Sequence, residues 1–300
     1  MVEYTKKIIL IISKRRRKIV NNRLSLFTFI CFLSLLIFVN SSEAVFEDME
    51  VGVRPQGMGT AFTAVADEAT AIHWNPAGLA QLKQRHANTF YKELFGNSGI
   101  HNVTLDISIP YKKWGTFGLS YQQIGSEWQK ERAITLSHGI NLTKELAFGY
   151  NIIGYHLDVE RFGSQMTYGI DVGFLATVYR RWRLGAFMHN INKPEFEGET
   201  NAKYDLPRLM SVGISYTPLS GIITSVDILK EIGEDTRFAF GQEFQILDPY
   251  LTLRAGVQTA PVRYSGGFTA SIVKGLHLDY AITNHEKLPM THQFGIGYKF

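Results

Sequence analysis

The last residues of the chain, MTHQFGIGYKF (290–300), decide the fold. On an extended backbone Phe294, Ile296, Tyr298 and Phe300 share one face, and Gln293, Gly295, Gly297 and Lys299 share the other. A period of two with an aromatic face marks a strand with an apolar medium on one side and polar or small groups on the other. The preceding segment, 275–283, repeats it: Leu276, Leu278, Tyr280 and Ile282 alternate with His277, Asp279 and Ala281. Followed backwards to about residue 85, this reading gives strands near 85–95, 100–110, 114–124, 131–140, 144–156, 166–179, 182–190, 208–217, 221–230, 236–246, 249–258, 262–272, 275–283 and 290–300. That is fourteen segments of the length a tilted strand needs to cross a bilayer, and an even number, as a single-chain barrel requires.

Composition agrees. Phe 20, Tyr 14, Trp 4 and Gly 27 against only Pro 9 suit strands and turns, and 45% hydrophobic with 19% charged residues excludes a disordered chain. No apolar run beyond residue 44 is long enough for a membrane helix. Alternate links are short (111–113, 141–143, 180–181, 218–220, 247–248, 273–274), and most of the intervening ones are longer, above all 191–207. Tight turns at one end and long loops at the other are how a transmembrane barrel treats its two faces, whereas a soluble β-sandwich has no reason to keep that alternation. The terminal Phe300, closing an alternating strand, reads as the insertion signal used by the outer-membrane assembly machinery.

The net charge of +4 is misleading, because eight of the 31 basic and two of the 27 acidic residues lie in 1–44. Residues 45–300 therefore hold 23 basic and 25 acidic groups, which leaves no nucleic-acid footprint. Within 1–44 a cationic run precedes the apolar stretch LSLFTFICFLSLLIFV (24–39) and the small-residue boundary Ser42-Glu43-Ala44. This reads as a secretory signal, with an uncleaved membrane anchor as the alternative. The only cysteine, Cys31, lies inside that stretch, so a processed chain has neither a disulfide framework nor a thiolate metal site.

The inward positions are rich in glycine and small polar residues, among them Thr104, Asp106, Ser108, Gly118, Gly149, Gly173, Gly185, Gly213, Gly241 and Gly256. Glycine on a strand leaves room for a second backbone. Fourteen strands enclose more space than wall side chains can fill, so something else must occupy the lumen. The candidate is 45–84, with 85–300 as the barrel. Inward charges are of both signs (Asp106, Asp171, Arg183, Asp227, Arg237, Glu243, Arg254, Arg263, Asp279, Lys299), which predicts a balanced network tying wall to plug in place of a single-sign selectivity ring. Large apolar inward residues are few, chiefly Ile153 and Phe187.

Residues 52–80, GVRPQGMGTAFTAVADEATAIHWNPAGLA, suit a compact plug: Pro76 forces Asn75 out of the helical region, and the surrounding residues are small. This stretch is similar to the N-terminal signature of the outer-membrane long-chain fatty-acid transporter (FadL-like) superfamily, most closely its PorV/PorQ branch. The residues that carry the resemblance are Gly57-Met58-Gly59, 61–67 ending in Asp67, Ala69, Ala71 and Trp74-Asn75-Pro76-Ala77-Gly78-Leu79, with Thr60 standing where glycine is commoner. The resemblance implies a fourteen-stranded antiparallel barrel in the bacterial outer membrane with an N-terminal hatch. In it Gly57, Gly59, Asp67, Trp74, Asn75, Pro76, Ala77 and Gly78 are the hatch and gating residues. It also implies two functions: passage of hydrophobic small molecules, or, as in the PorV-like members, a role in type IX protein secretion through a secreted or secretion-machine partner bound at the outer loops.

Catalytic, metal and cofactor sites are not expected. The nine histidines form no His-x-x-x-His pair, and neither a nucleophile elbow nor a phosphate or dinucleotide fingerprint occurs. An enzyme would need a Ser, a His and an acid brought together on the wall, which spacing alone cannot reveal.

Overall fold

The alternating segments pair in chain order into one closed antiparallel sheet in the computed structural model, which describes Phe46 and residues 50–94, 96, 99–197 and 203–300. The proposed signal, 1–44, lies outside the described residues. Among the described residues the strands are β1 (His86–Glu93), β2 (His101–Tyr111), β3 (Gly115–Gly125), β4 (Gln129–Asn141), β5 (Leu146–Val159), β6 (Gly163–Val178), β7 (Trp182–Met188), β8 (Glu195–Glu197), β9 (Lys203–Asp205), β10 (Leu209–Tyr216), β11 (Ile222–Glu231), β12 (Thr236–Leu247), β13 (Leu251–Gln258), β14 (Arg263–Val273), β15 (Leu276–Thr283) and β16 (Thr291–Lys299). All but β8 and β9 form the wall, and β1 closes it against β16 with His86 opposite Lys299 and Lys92 opposite Gln293. The fourteen wall strands are the fourteen sequence segments.

Period two sorts the side chains as expected. Along β16, Phe294, Ile296 and Tyr298 are exposed on the outer face while Gln293, Gly295 and Gly297 are buried. In β5, adjacent Ile152 and Ile153 are 52% and 3% exposed, which separates an outward from an inward position by a single residue.

The 191–207 link differs from a plain loop. β7 stops at Met188, and the edge of β6 that it leaves is covered by Asn192, which accepts from the Ile170 N–H and donates to the Tyr168 carbonyl, each at 2.8 Å. The chain then forms the β8–β9 hairpin, sheet-separate from the wall. Phe196 and Leu206 pack inward with Phe46 and Tyr155.

The lumen is occupied by the segment ahead of β1. It holds two short helices, α1 (Val53–Gly57) and α2 (Ala71–Trp74), and a 3-10 helix, Pro76–Gln81, with almost every residue buried. Strand register makes a place for each turn of it. Gly139, Gly149 and Gly173 are cross-strand neighbours on β4, β5 and β6, Gly185 and Gly213 on β7 and β10, and Gly241 and Gly256 on β12 and β13. A methyl group on the first trio would overlap Asn75, Pro76 or Ala77; on Gly185, Thr63 and Ala64; on the last pair, Met58 and Gly59. Glycine within a strand costs roughly 0.5–1 kcal/mol relative to alanine. Here that cost is offset by direct backbone-to-backbone packing of plug on wall.

Candidate functional site: the plug and its two chambers

Asn75 is the pivot of the plug's docking. Proline at 76 holds it extended (φ −173°), so its side chain caps the following 3-10 helix by accepting from the Ala77 N–H at 3.2 Å. The same amide donates to the Thr63 carbonyl (2.9 Å) within the plug and to the Phe174 carbonyl (3.0 Å) of β6. Its neighbour Trp74 donates from Nε1 to the Val51 carbonyl at 2.8 Å and meets the Phe62 ring edge-on. Gly78 lies against Ala66, with no space for a Cβ.

Further ties come from the wall. The Asp227 carboxylate accepts from the backbone N–H groups of Phe62 (2.8 Å) and Thr63 (2.7 Å). Asn151 donates to the Ile72 carbonyl, and Ser215 to that of Ala64. Arg54 of α1 bridges Asp67 within the plug to Glu243 of β12 and lies over the Phe62 ring. Burial opposes ionisation of Arg54 and of Glu68. Arg54 is nonetheless held above its ordinary value by Asp67, Glu243 and Glu68, and Glu68 below its own chiefly by Arg54. At the long-loop end burial raises the Glu50 carboxyl, but Arg237 at 2.9 Å, with Lys92 and Arg263, outweighs it and brings the group to about 2. The mixed inward charges are thus a wall-to-plug network.

The plug divides the lumen. Towards the long loops is a chamber of about 90 Å³, counted as space for the centres of water-sized spheres, bordered by Phe46, Ile72, Trp74, Ile153, Phe187, Leu209 and Leu229 and by about as many polar groups, among them Glu50, His73, Asn151, Asp171, His189, Glu231 and Arg237. Its volume equals roughly six to nine waters on the same measure. Towards the short turns is a vestibule of about 760 Å³ lined by charged and hydroxyl groups, including Arg54, Glu243, Arg254, Thr269 and Asp279.

The structure therefore brings Gly57, Gly59, Asp67 and 74–78 into one plug. Gly57 and Gly59 contact β13, Asn75 to Ala77 contact β4–β6, and Asp67 faces the vestibule. Phe300 stands apart from them, its backbone paired with Arg85 beside the β1–β16 closure. Phe46 and Tyr155 escaped sequence reading. Tyr155 lies on the inward parity of β5, next but one after Ile153, and that parity was the available signal; Phe46 has no periodic context.

One constellation has the composition of a hydrolase site. His73 lies between Asp106 (2.9 Å) and Ser120 (3.1 Å), but both contacts fall on Nε2. A catalytic relay needs the acid on one ring nitrogen and the nucleophile on the other, so this arrangement orients the plug and activates nothing. Among the described residues no cluster of metal-ligating side chains is present.

Comparison with known proteins bears on the fold. A family model described as Uncharacterised protein family (UPF0164) matches residues 48–170, and one described as F plasmid transfer operon, TraF, protein matches 150–228. No curated protein matches the sequence. Similar solved structures include the CymD monoaromatic hydrocarbon channel, with a TM-score of 0.65 at 13% identity over 85% of this chain and 99% of that one. The Ralstonia pickettii toluene transporter TbuX gives 0.64 at 14% over 85% and 100%, and a Pseudomonas aeruginosa FadL homologue 0.60 at 11% over 83% and 98%. The chain thus shares the closed fourteen-stranded barrel of FadL-like hydrocarbon channels.

Proposed function

We propose that the chain is a bacterial outer-membrane channel for passive passage of hydrophobic small molecules. The observation that carries this reading is the upper chamber, where aromatic and aliphatic side chains from plug, wall and hairpin-flanking segment converge, beside polar groups, on one cavity. The solved channels of like fold are named for monoaromatic hydrocarbons and toluene, and their being channels accords with a non-catalytic role. On this reading 1–44 is a removed signal, 45–84 the hatch and 85–300 the barrel. Trp74 to Gly78 with Gly57, Gly59 and Asp67 set the hatch position, and Phe300 addresses the chain to the assembly machinery. Finer placement in the PorV/PorQ branch rests on the 52–80 motif alone. The secretion-partner role stands second, because Phe196 and Leu206 of the long loop turn inward over the lumen and are not offered to a partner.

Proteoliposomes loaded with a solvatochromic dye and exposed to toluene should report faster toluene arrival with the wild-type protein than without it. Leu229→Trp, which fills the chamber, should bring the rate back towards that of empty vesicles. Equal rates for wild-type and empty vesicles, together with purified protein that carries no lipid or hydrocarbon by mass spectrometry, would remove the transport reading.

A further inference from the structure

His73 of α2 uses only one side of its ring to hold the plug. Nε2 lies 2.9 Å from Asp106 and 3.1 Å from Ser120, whereas Nδ1 has no hydrogen bond among the described residues. A carboxylate only accepts, so the proton of the neutral imidazole sits on Nε2 and Nδ1 is left as an acceptor. The side chain is 10% exposed, and the residue borders the upper chamber.

A second open group stands beside it on the wall. Strand register sets Asp106, Ser120 and Thr135 side by side across β2, β3 and β4, so Thr135 is the inward neighbour of the serine that His73 touches. Directly opposed residues have Cβ atoms about 4.5–5.5 Å apart. Thr135 is 5% exposed and borders the same chamber, and its hydroxyl has no partner among the described residues. Neither that hydroxyl nor His73 Nδ1 is among the unpartnered polar atoms shut away from any space, so both open on the cavity. The chamber's other polar side chains are engaged: Glu50 with Arg237, Asp171 with His189, and Asn151 with the Ile72 carbonyl.

A buried donor and acceptor left without partners cost free energy until something meets them. Water can do so, but a ligand hydroxyl in its place brings an apolar body that covers the aromatic and aliphatic lining as well. Space for about six to nine waters admits a single ring.

We propose that the upper chamber selects single-ring aromatic molecules bearing one hydroxyl group. The ligand O–H donates to His73 Nδ1, its oxygen accepts from the Thr135 hydroxyl, and the ring lies among Phe46, Ile153 and Phe187. The inference rests on the chamber holding the cargo, as proposed above, and narrows that cargo. A site with buried polar groups of its own disfavours a ligand that leaves them unpaired, which makes toluene the poorer of two ligands of like shape.

The test is equilibrium dialysis of the full chain in detergent against the same detergent without protein, in sealed cells, with radiolabelled phenol or toluene. Wild-type protein should bind phenol more tightly than toluene, although water retains phenol more strongly. Thr135→Val keeps the shape of the side chain and breaks no hydrogen bond among the described residues; it should lower the phenol-to-toluene affinity ratio about fivefold. His73→Phe should lower the ratio at least as much. Ile134→Val, on the outer face, should leave it unchanged. Toluene bound as tightly as phenol, or an unchanged ratio in both Thr135→Val and His73→Phe with heat-modifiable mobility kept, would overturn the hydroxyl site while leaving the transport reading standing. Wild-type protein that binds neither ligand would overturn both.

Discussion

At the residue scale, Asp227 and Thr60 show how the plug is held and what it costs. Asp227 sits on the inward parity of β11 and satisfies two plug N–H groups that no other side chain among the described residues reaches. Replacing it with alanine strands both in a buried site, at about 1–3 kcal/mol for each unsatisfied donor. Asp227→Ala should therefore make the 50–84 segment cleavable by added protease while the wall keeps its heat-modifiable gel mobility; unchanged resistance would show that the plug is fixed elsewhere. Thr60 has φ +68°, a left-handed conformation that a β-branched residue adopts only under strain. This is the one position where the motif departs from its commoner glycine, and here the threonine hydroxyl donates to Gln258 Oε1 at 3.0 Å in partial compensation. Thr60→Gly should leave thermal stability in detergent equal or higher, because relief of strain offsets a hydrogen bond worth about 1 kcal/mol. A marked fall in the melting temperature would refute that balance.

At the level of elements, the wall was legible and its rims were not. Each wall strand keeps an apolar outward row along its middle, so alternation located all fourteen. β5 and β6 run to Val159 and from Gly163, beyond the expected 156 and 166, because at those ends their outward residues are polar (Asp158, Ser164) and periodicity gives no warning. The β8–β9 hairpin was missed for a related reason: three-residue strands are too short for any period. For the plug, its composition and the wall glycines announced close packing, but which glycine meets which turn depends on register between distant strands. That register makes a sharp prediction. Gly149→Leu places a side chain where the Pro76 and Ala77 backbone runs, and should displace the 3-10 helix. Gly154→Leu, on the same strand with open space around it, should be tolerated. Comparable protease sensitivity of 74–82 in the two variants would contradict the docking described.

For the whole molecule, the charges that join plug to wall set a pH range. Glu50 and Glu68 both ionise more readily in the folded protein than in the unfolded chain, so the stability they contribute is complete above the ordinary carboxyl value of 4.5 and is lost as pH falls through their folded values. For Glu50, held at about 2, the difference amounts to about 3 kcal/mol. Resistance of the plug to protease, read over 50–84, should be lost as pH falls below about 5, and Glu50→Gln should lessen that loss. A profile with no acid limb would show that these pairs contribute nothing.

The pairing of β1 with β16 has a temporal implication. Because the ring is completed only by pairing β1 with β16, and because the material inside it is the segment ahead of β1, a cylinder finished first could be filled afterwards only by moving a folded plug past glycine hollows shaped to grip it. A plug docked while successive hairpins curl round it avoids that step. Biogenesis then resembles casting around a core, and a defect in residues 50–84 should surface as a failure of closure and not as an empty tube.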